Sequence, residues 1–220
     1  MRAIEFFILN IQRSEELLKL HEEKFPIGRP ASKGVTADLL RAVIVFTVAA
    51  LDAYIHKRTI EIITKIIHHK KRVPERCVER IRGKFKDKDG YKELTNLIIQ
   101  KDPTKRLINF LEESLGSVTF QKPESIQMAF SMMEINDGWK QVNKFLSIKP
   151  GRKKKGRRAD VRGIVATMAE RRDSIVHRND VYYGNKHHGK VRPITRKEVR
   201  DNLETFRAVV YAIEHISEKI

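Results

Sequence analysis

The chain has 220 residues, 45 Lys and Arg against 28 Asp and Glu, and a formal net charge of +17. That length suits one substantial domain rather than two, and that charge calls for a polyanionic partner, nucleic acid first and an anionic membrane surface second. Cys77 is the single cysteine, which excludes an intrachain disulfide and a thiolate zinc site and fits a reducing cytoplasm.

The N-terminal apolar run, residues 6–9, is too short for a signal-peptide core, and residues 2–24 read as an amphipathic helix. Ile4, Phe7, Ile8, Ile11, Leu17, Leu18 and Leu20 recur in it at three-to-four spacing, and Pro26, Gly28 and Pro30 end it. Thr36 can cap a long second helix over 36–70, whose stripe includes Leu39, Val43, Phe46, Ala50, Ala53, Ile60, Ile63 and Ile67. Its most apolar window, 42–55, is broken by Thr47 and Asp52 and is too short to span a bilayer, so no membrane segment is expected. Asp52 either faces a solvated edge or needs a partner, most naturally an arginine that it would orient. The basic end, with His68, His69, Lys70, Lys71 and Arg72, suits the helix dipole, and adjacent histidines face apart, against a metal pair.

Short helices follow between about 74 and 146. Pro74 opens one, 84–90 reads as a charged turn, and 91–101 and 103–115 read as two more, the second closed by Gly116. Pro123 opens a segment with Ile126, Ala129, Phe130 and Met133 on one side, and its methionines read as core filler. Trp139 is expected to pack. Residues 149–158 (KPGRKKKGRR) form a basic loop whose Arg152, Lys153, Lys154, Lys155, Arg157 and Arg158 can grip phosphates, with no aromatic ring to stack bases.

A helix over 159–176 then places Val161, Ile164, Val165, Met168, Arg172 and Ile175 on one stripe. Residues 177–192 read as a polar loop carrying Tyr182 and Tyr183. The last helix, 195–219, opens on a capping box from Thr195 to Glu198, with Ile194 stapled to Val199. No segment alternates as a half-buried strand would, so the fold class is all-α: four principal helices with short helices inserted in the middle.

No Gly-rich phosphate loop, HExxH or Cys/His cluster is present, so no metal or other cofactor is expected. Ser174 lies near His177 but lacks a glycine elbow. Arg and His remain, in the stretch 170–179 (ERRDSIVHRN). RNA can be cut without a metal because its own 2′-OH attacks the neighbouring phosphate. A histidine can move the protons, and an arginine can stabilise the charge that builds on phosphorus. On a regular helix five residues turn His177 about 140° from Arg172, so either the helix ends between them or a second chain completes the site.

Arg172-Asp173-x-x-x-His177 resembles the Rx4–6H motif of HEPN ribonucleases, and the segments 50–56 (ALDAYIH) and 119–126 (TFQKPESI) resemble the RiboL-PSP-HEPN branch. The resemblance spans about 35–216. It implies a HEPN-like four-helix bundle that homodimerises and joins two motifs in one cleft. It also implies metal-independent endoribonuclease activity leaving a 2′,3′-cyclic phosphate, with roles in toxin–antitoxin, phage-defence or RNA-processing systems and a restraining partner such as an antitoxin. Arg172 and His177 would then be the catalytic pair, with Asp173 at the motif's polar second position and Asp52 and Asn179 in support. Arg171 and Arg178 would join the basic loop in binding RNA. The competing expectation is a non-catalytic RNA-binding or scaffolding module, in which Arg172 pairs with Asp52 or Asp173 and His177 is a helix-terminal cation. A third makes Tyr182 or Tyr183 a modification site.

Overall fold

Apolar residues three and four apart give helices, and their buried faces decide how the helices stack. The computed structural model describes residues 1–25, 34–70, 72–84, 102–148, 161–182 and 189–220. Among these the chain forms eight helices: α1 (Ala3–Lys24), α2 (Val35–Lys70), α3 (Glu75–Lys84), α4 (Pro103–Leu115), α5 (Pro123–Met132), α6 (Gly138–Ile148), α7 (Val161–Arg178) and α8 (Arg196–Ser217). The all-α class follows, with one isolated antiparallel bridge, Val181 to Val191, among the described residues. Pro26, Gly28, Pro30, most of the charged turn at 84–90, the helix expected at 91–101, the loop 149–158 and Tyr183 lie outside the described residues.

The centre of the fold is α2. Its 36 residues span about 54 Å, and it buries side chains on more than one face, so it is flanked rather than merely docked. α1, α4, α5, α7 and α8 all pack on it, while α6 bridges α7 and α8. Phe7 of α1 meets Tyr54 of α2 edge to face, with ring centroids 5.8 Å apart. The first turn of α2 differs from the expected Thr36 cap. Gly34, at φ +80°, takes the capping position, its carbonyl accepting the Ala37 and Asp38 N–H groups, and Thr36 lies inside the helix.

Buried polar side chains on α2 pair with the elements around it. The Tyr54 hydroxyl donates to Glu214 Oε2 at 2.9 Å, and Arg58 Nε donates to Ser217 Oγ at 2.8 Å, so both pin α8. Asp52 holds the 117–121 segment. Its two oxygens accept the Phe120 N–H at 2.6 Å and Gln121 Nε2 at 2.8 Å, while His56 Nε2 lies 2.7 Å from the Val118 carbonyl oxygen. Of the two readings of Asp52, neither a solvated edge nor an arginine partner is found: a backbone N–H and an amide satisfy the carboxylate, with His56 Nε2 3.7 Å from Oδ1.

Trp139 and the core methionines pack as expected. Trp139 is buried against Phe130 and donates Nε1–H to the Pro123 carbonyl at 3.2 Å. Gly138 makes this approach possible, since a β-carbon there would lie 2.2 Å from the Phe130 ring. Met132 and Met133 are core residues. At the start of α8, Thr195 Oγ1 accepts the Glu198 N–H at 3.2 Å, and Ile194 and Val199 are both buried. Glu198 Oε1 meanwhile lies 3.4 Å from Arg171, so the cap ties α8 to α7.

Candidate functional site

The stretch 170–179 occupies the C-terminal turns of α7 and the residue that follows. The stripe of Val161, Val165 and Met168 is buried against α2 and its neighbours, which fixes how the helix is rotated. Arg172 continues that stripe and is half-buried, its side chain 23% exposed, with Nη1 donating to Asp173 Oδ1 at 3.2 Å. Asp173 Oδ2 lies 3.7 Å from Lys122 Nζ, just before α5. Arg172 Nε is buried without a hydrogen-bond partner among the described residues.

His177 is exposed, as are its neighbours Val176 and Arg178. The expected helix end at 176 is corrected here: α7 runs unbroken through His177 to Arg178. Five helical residues advance about 7.5 Å and turn about 140°, so within one chain Arg172 faces inward and His177 outward. Of the two arrangements that could unite them, a helix end between them is excluded.

Beyond Arg178 two successive residues take the left-handed conformation, Asn179 at φ +52° and Asp180 at φ +55°. Each costs about 1–2 kcal/mol for a residue with a β-carbon, least for Asn and Asp. The Asp180 N–H reaches back to the Ser174 carbonyl at 2.9 Å and closes the helix end. The Asp180 side chain is fully buried. Its Oδ2 accepts from Arg41 Nε of α2 at 2.9 Å and from Arg171 Nη2 of α7 at 2.8 Å. The arginines continue the network outward. Arg41 reaches Asp38 at 3.0 Å and the Arg192 carbonyl at 3.0 Å, and Arg171 reaches the Pro193 carbonyl at 3.0 Å and Glu198. Charges thus alternate in the order Asp38, Arg41, Asp180, Arg171, Glu198, across α2, α7 and α8. Removing Asp180, the fully buried member, costs up to about 3–5 kcal/mol, because Arg41 and Arg171 are left with only the exposed Asp38 and Glu198 as charged partners. Asp180 Oδ1, Ser174 Oγ, Arg171 Nε and Arg192 Nε are buried without partners among the described residues, so part of this network's polar capacity is open.

A small cavity of about 360 Å³ lies between α2 and the end of α7, lined by Asp38, Arg41, Val45, Phe46, Ile175 and Asn179 among others. Among the described residues no three His, Cys, Asp or Glu side chains gather as a metal ion would require, and no helix is long and apolar enough to cross a membrane.

The RiboL-PSP-HEPN family model matches residues 9–219, from within α1 to just past α8. The chain belongs to the RiboL-PSP-HEPN family. No curated protein and no solved structure matches it. Membership in a HEPN branch suggests a nuclease-like or RNA-related role, in keeping with a net charge of +17.

In this RiboL-PSP-HEPN chain the residues singled out from sequence fall apart into groups. Arg172, Asp173, His177, Arg178 and Asn179 share the end of α7. Asp52 lies elsewhere, bonded to Phe120 and Gln121. Arg171, expected as an RNA contact, is sheltered and committed to Asp180, Pro193 and Glu198, because a guanidinium facing a buried carboxylate is held there by charge. Arg152, Lys153, Lys154, Lys155, Arg157 and Arg158 lie outside the described residues. Arg41 and Asp180 went unnoticed in the sequence. Arg41 is a charge amid the apolar run of α2, and Asn179-Asp180 is a helix-stopping pair, but nothing local joins residues 139 positions apart.

Proposed function

We propose that this chain is a metal-independent endoribonuclease that acts as a homodimer in the cytoplasm. The observation that carries the reading is the placement of an exposed His177 and an inward Arg172 on one uninterrupted helix. A two-fold axis along the end of α7 would set the His177 of one subunit beside the Arg172 of the other, the second of the arrangements that helix geometry allows. His177 would take the proton from the 2′-OH as that oxygen attacks the adjacent phosphate, and return a proton to the departing 5′-oxygen. Arg172 would stabilise the negative charge on the five-coordinate phosphorus, and Asp173 would hold its guanidinium until RNA arrives. The products would be a 2′,3′-cyclic phosphate and a 5′-hydroxyl. Arg178 and the 149–158 loop supply positive charge for the RNA backbone. An activity of this kind suits a toxin, a phage-defence effector or an RNA-processing enzyme, restrained by a partner protein such as an antitoxin.

The test is incubation of the purified protein with total RNA, with and without EDTA, followed by end mapping. Cyclic-phosphate ends in EDTA, lost in His177→Ala, support the proposal; uncut RNA overturns it. The pairing of Arg172 with Asp173 favours one second reading, an RNA-binding module without catalysis. In that case His177→Ala would leave a salt-sensitive RNA affinity unchanged and no product would form with either protein.

A further inference from the structure

We propose that Asp180 is a positioning residue for His177, acting through the end of α7. The inference rests on the reading of His177 as the proton-transfer residue. A helix ordinarily frays in its last turn, where carbonyls lack partners, and His177 sits in that turn. Here the turn is closed by a chain reversal that few side chains tolerate: Asn179 and Asp180 are both left-handed, and the Asp180 N–H closes on the Ser174 carbonyl. Strain of this kind persists only where the surroundings over-determine it. The surroundings are the Asp180 carboxylate itself, buried between Arg41 and Arg171 on two different helices. Arg192 N–H donates to the Asp180 carbonyl at 2.8 Å, so backbone and side chain are both held.

Chemically, the arrangement separates two duties. His177 is exposed and able to meet a substrate, while Asp180 and Arg41, which fix the direction in which it leaves the helix, are buried. Arg41 belongs to the central helix α2, so the end of α7 is referenced to the core rather than to the surface. Asp180 therefore has no chemical step of its own. Loss of its charge would leave Arg41 and Arg171 facing each other with only the more exposed Asp38 and Glu198 to offset them, let the left-handed pair relax, and free the last turn of α7.

Two variants test this, Asp180→Asn, which keeps the shape and removes the charge, and Arg41→Met, which removes one partner from outside α7. Tyr54→Phe serves as a destabilised control, since Tyr54 bonds to Glu214 on α8. Each protein is compared with wild type well below its unfolding midpoint. RNA affinity, the single-turnover cleavage rate with enzyme in excess across about pH 5–9, and the His177 imidazole resonance are read. Positioning predicts RNA affinity within about twofold of wild type and a cleavage rate lower by about 10- to 100-fold in Asp180→Asn. It also predicts a shifted His177 resonance, and a smaller change in the same direction in Arg41→Met. The control should keep the wild-type rate and resonance. Variants that lose only thermal stability, with rate and resonance intact, overturn the inference. Should Asp180→Asn fail to fold, Arg41→Met decides. Should wild type leave RNA uncut, the ribonuclease reading falls by itself, and an unmoved His177 resonance in the variants then overturns the positioning role separately.

Discussion

Arg172 and His177 stand on one unbroken helix, and their side chains leave it about 140° apart. If the pair acts on one phosphate, its two members come from different subunits. Arg172→Ala and His177→Ala should each be inactive alone. Mixed by co-expression, they should recover about one quarter of wild-type cleavage, because half of random dimers are mixed and each mixed dimer keeps one intact pair of two. Cleavage of a short RNA, with the mixed dimer verified by mass, measures this. Mixed dimers without activity would mean that each chain uses its own pair.

Asp52 is bonded to Phe120 and Gln121, which makes it a clasp between α2 and the 117–121 segment. Asp52→Ala should destabilise the fold by about 1–3 kcal/mol, since a part-buried N–H and an amide lose their acceptor. Asp52→Asn keeps an acceptor oxygen and should cost less than half as much. Urea unfolding of the three proteins gives both numbers, and equal losses in the two variants would argue that charge, not the hydrogen bonds, holds the clasp.

Tyr54 is fully buried, and burial, followed by the charge of Glu214, pushes its phenol well above the ordinary tyrosine range. Its absorbance should show no ionisation before the protein unfolds in alkali. Tyr54→Phe should cost about 0.5–1.5 kcal/mol, a modest loss because Arg58 Nη1, 3.2 Å from Glu214, still neutralises that carboxylate.

His21 near the end of α1 is buried beside Arg196 of α8, with its Nδ1 3.3 Å from Arg196 Nε. Burial first, and the Arg196 charge second, hold its folded pKa below the ordinary 6.5. The unfolded chain therefore takes up the proton first as pH falls. The contribution of neutral His21 to stability is complete above the unfolded value and is lost as pH drops through it toward the folded one. Stability measured by denaturant at about pH 7.5 and about pH 5.5 should fall between the two, and His21→Phe should flatten that fall. An identical slope in the variant would assign the acid sensitivity to other groups.

These cases show what the sequence made legible and what it hid. Periodicity located the long helices because burial repeats every three to four residues, and the Thr195 cap and the packed Trp139 followed from rules that act within a few residues. Arg172 on the buried stripe was legible for the same reason. The true end of α7 was not, because His177 and Arg178 are polar and periodicity fades where a helix leaves the core. Pairings were hidden most. Asp52 announced itself as a carboxylate in need of a partner, but its partner is a backbone N–H 68 positions away, which every residue but proline offers. Asp180 looked like an ordinary turn residue, and only the folded chain sets it between two arginines.

The pairing of Arg41 with Asp180 also orders events in time. Arg41 leaves the ribosome 139 residues before Asp180, and the carbonyls of Arg192 and Pro193 that complete the network come later still. Growing chains fold from the N-terminus as they emerge. α1 and α2 can therefore pair while the stretch that holds His177 does not yet exist, and the lock on that stretch closes only after Pro193 has emerged. A nascent chain would carry no locked end of α7 until Arg192 and Pro193 had followed it out of the ribosome.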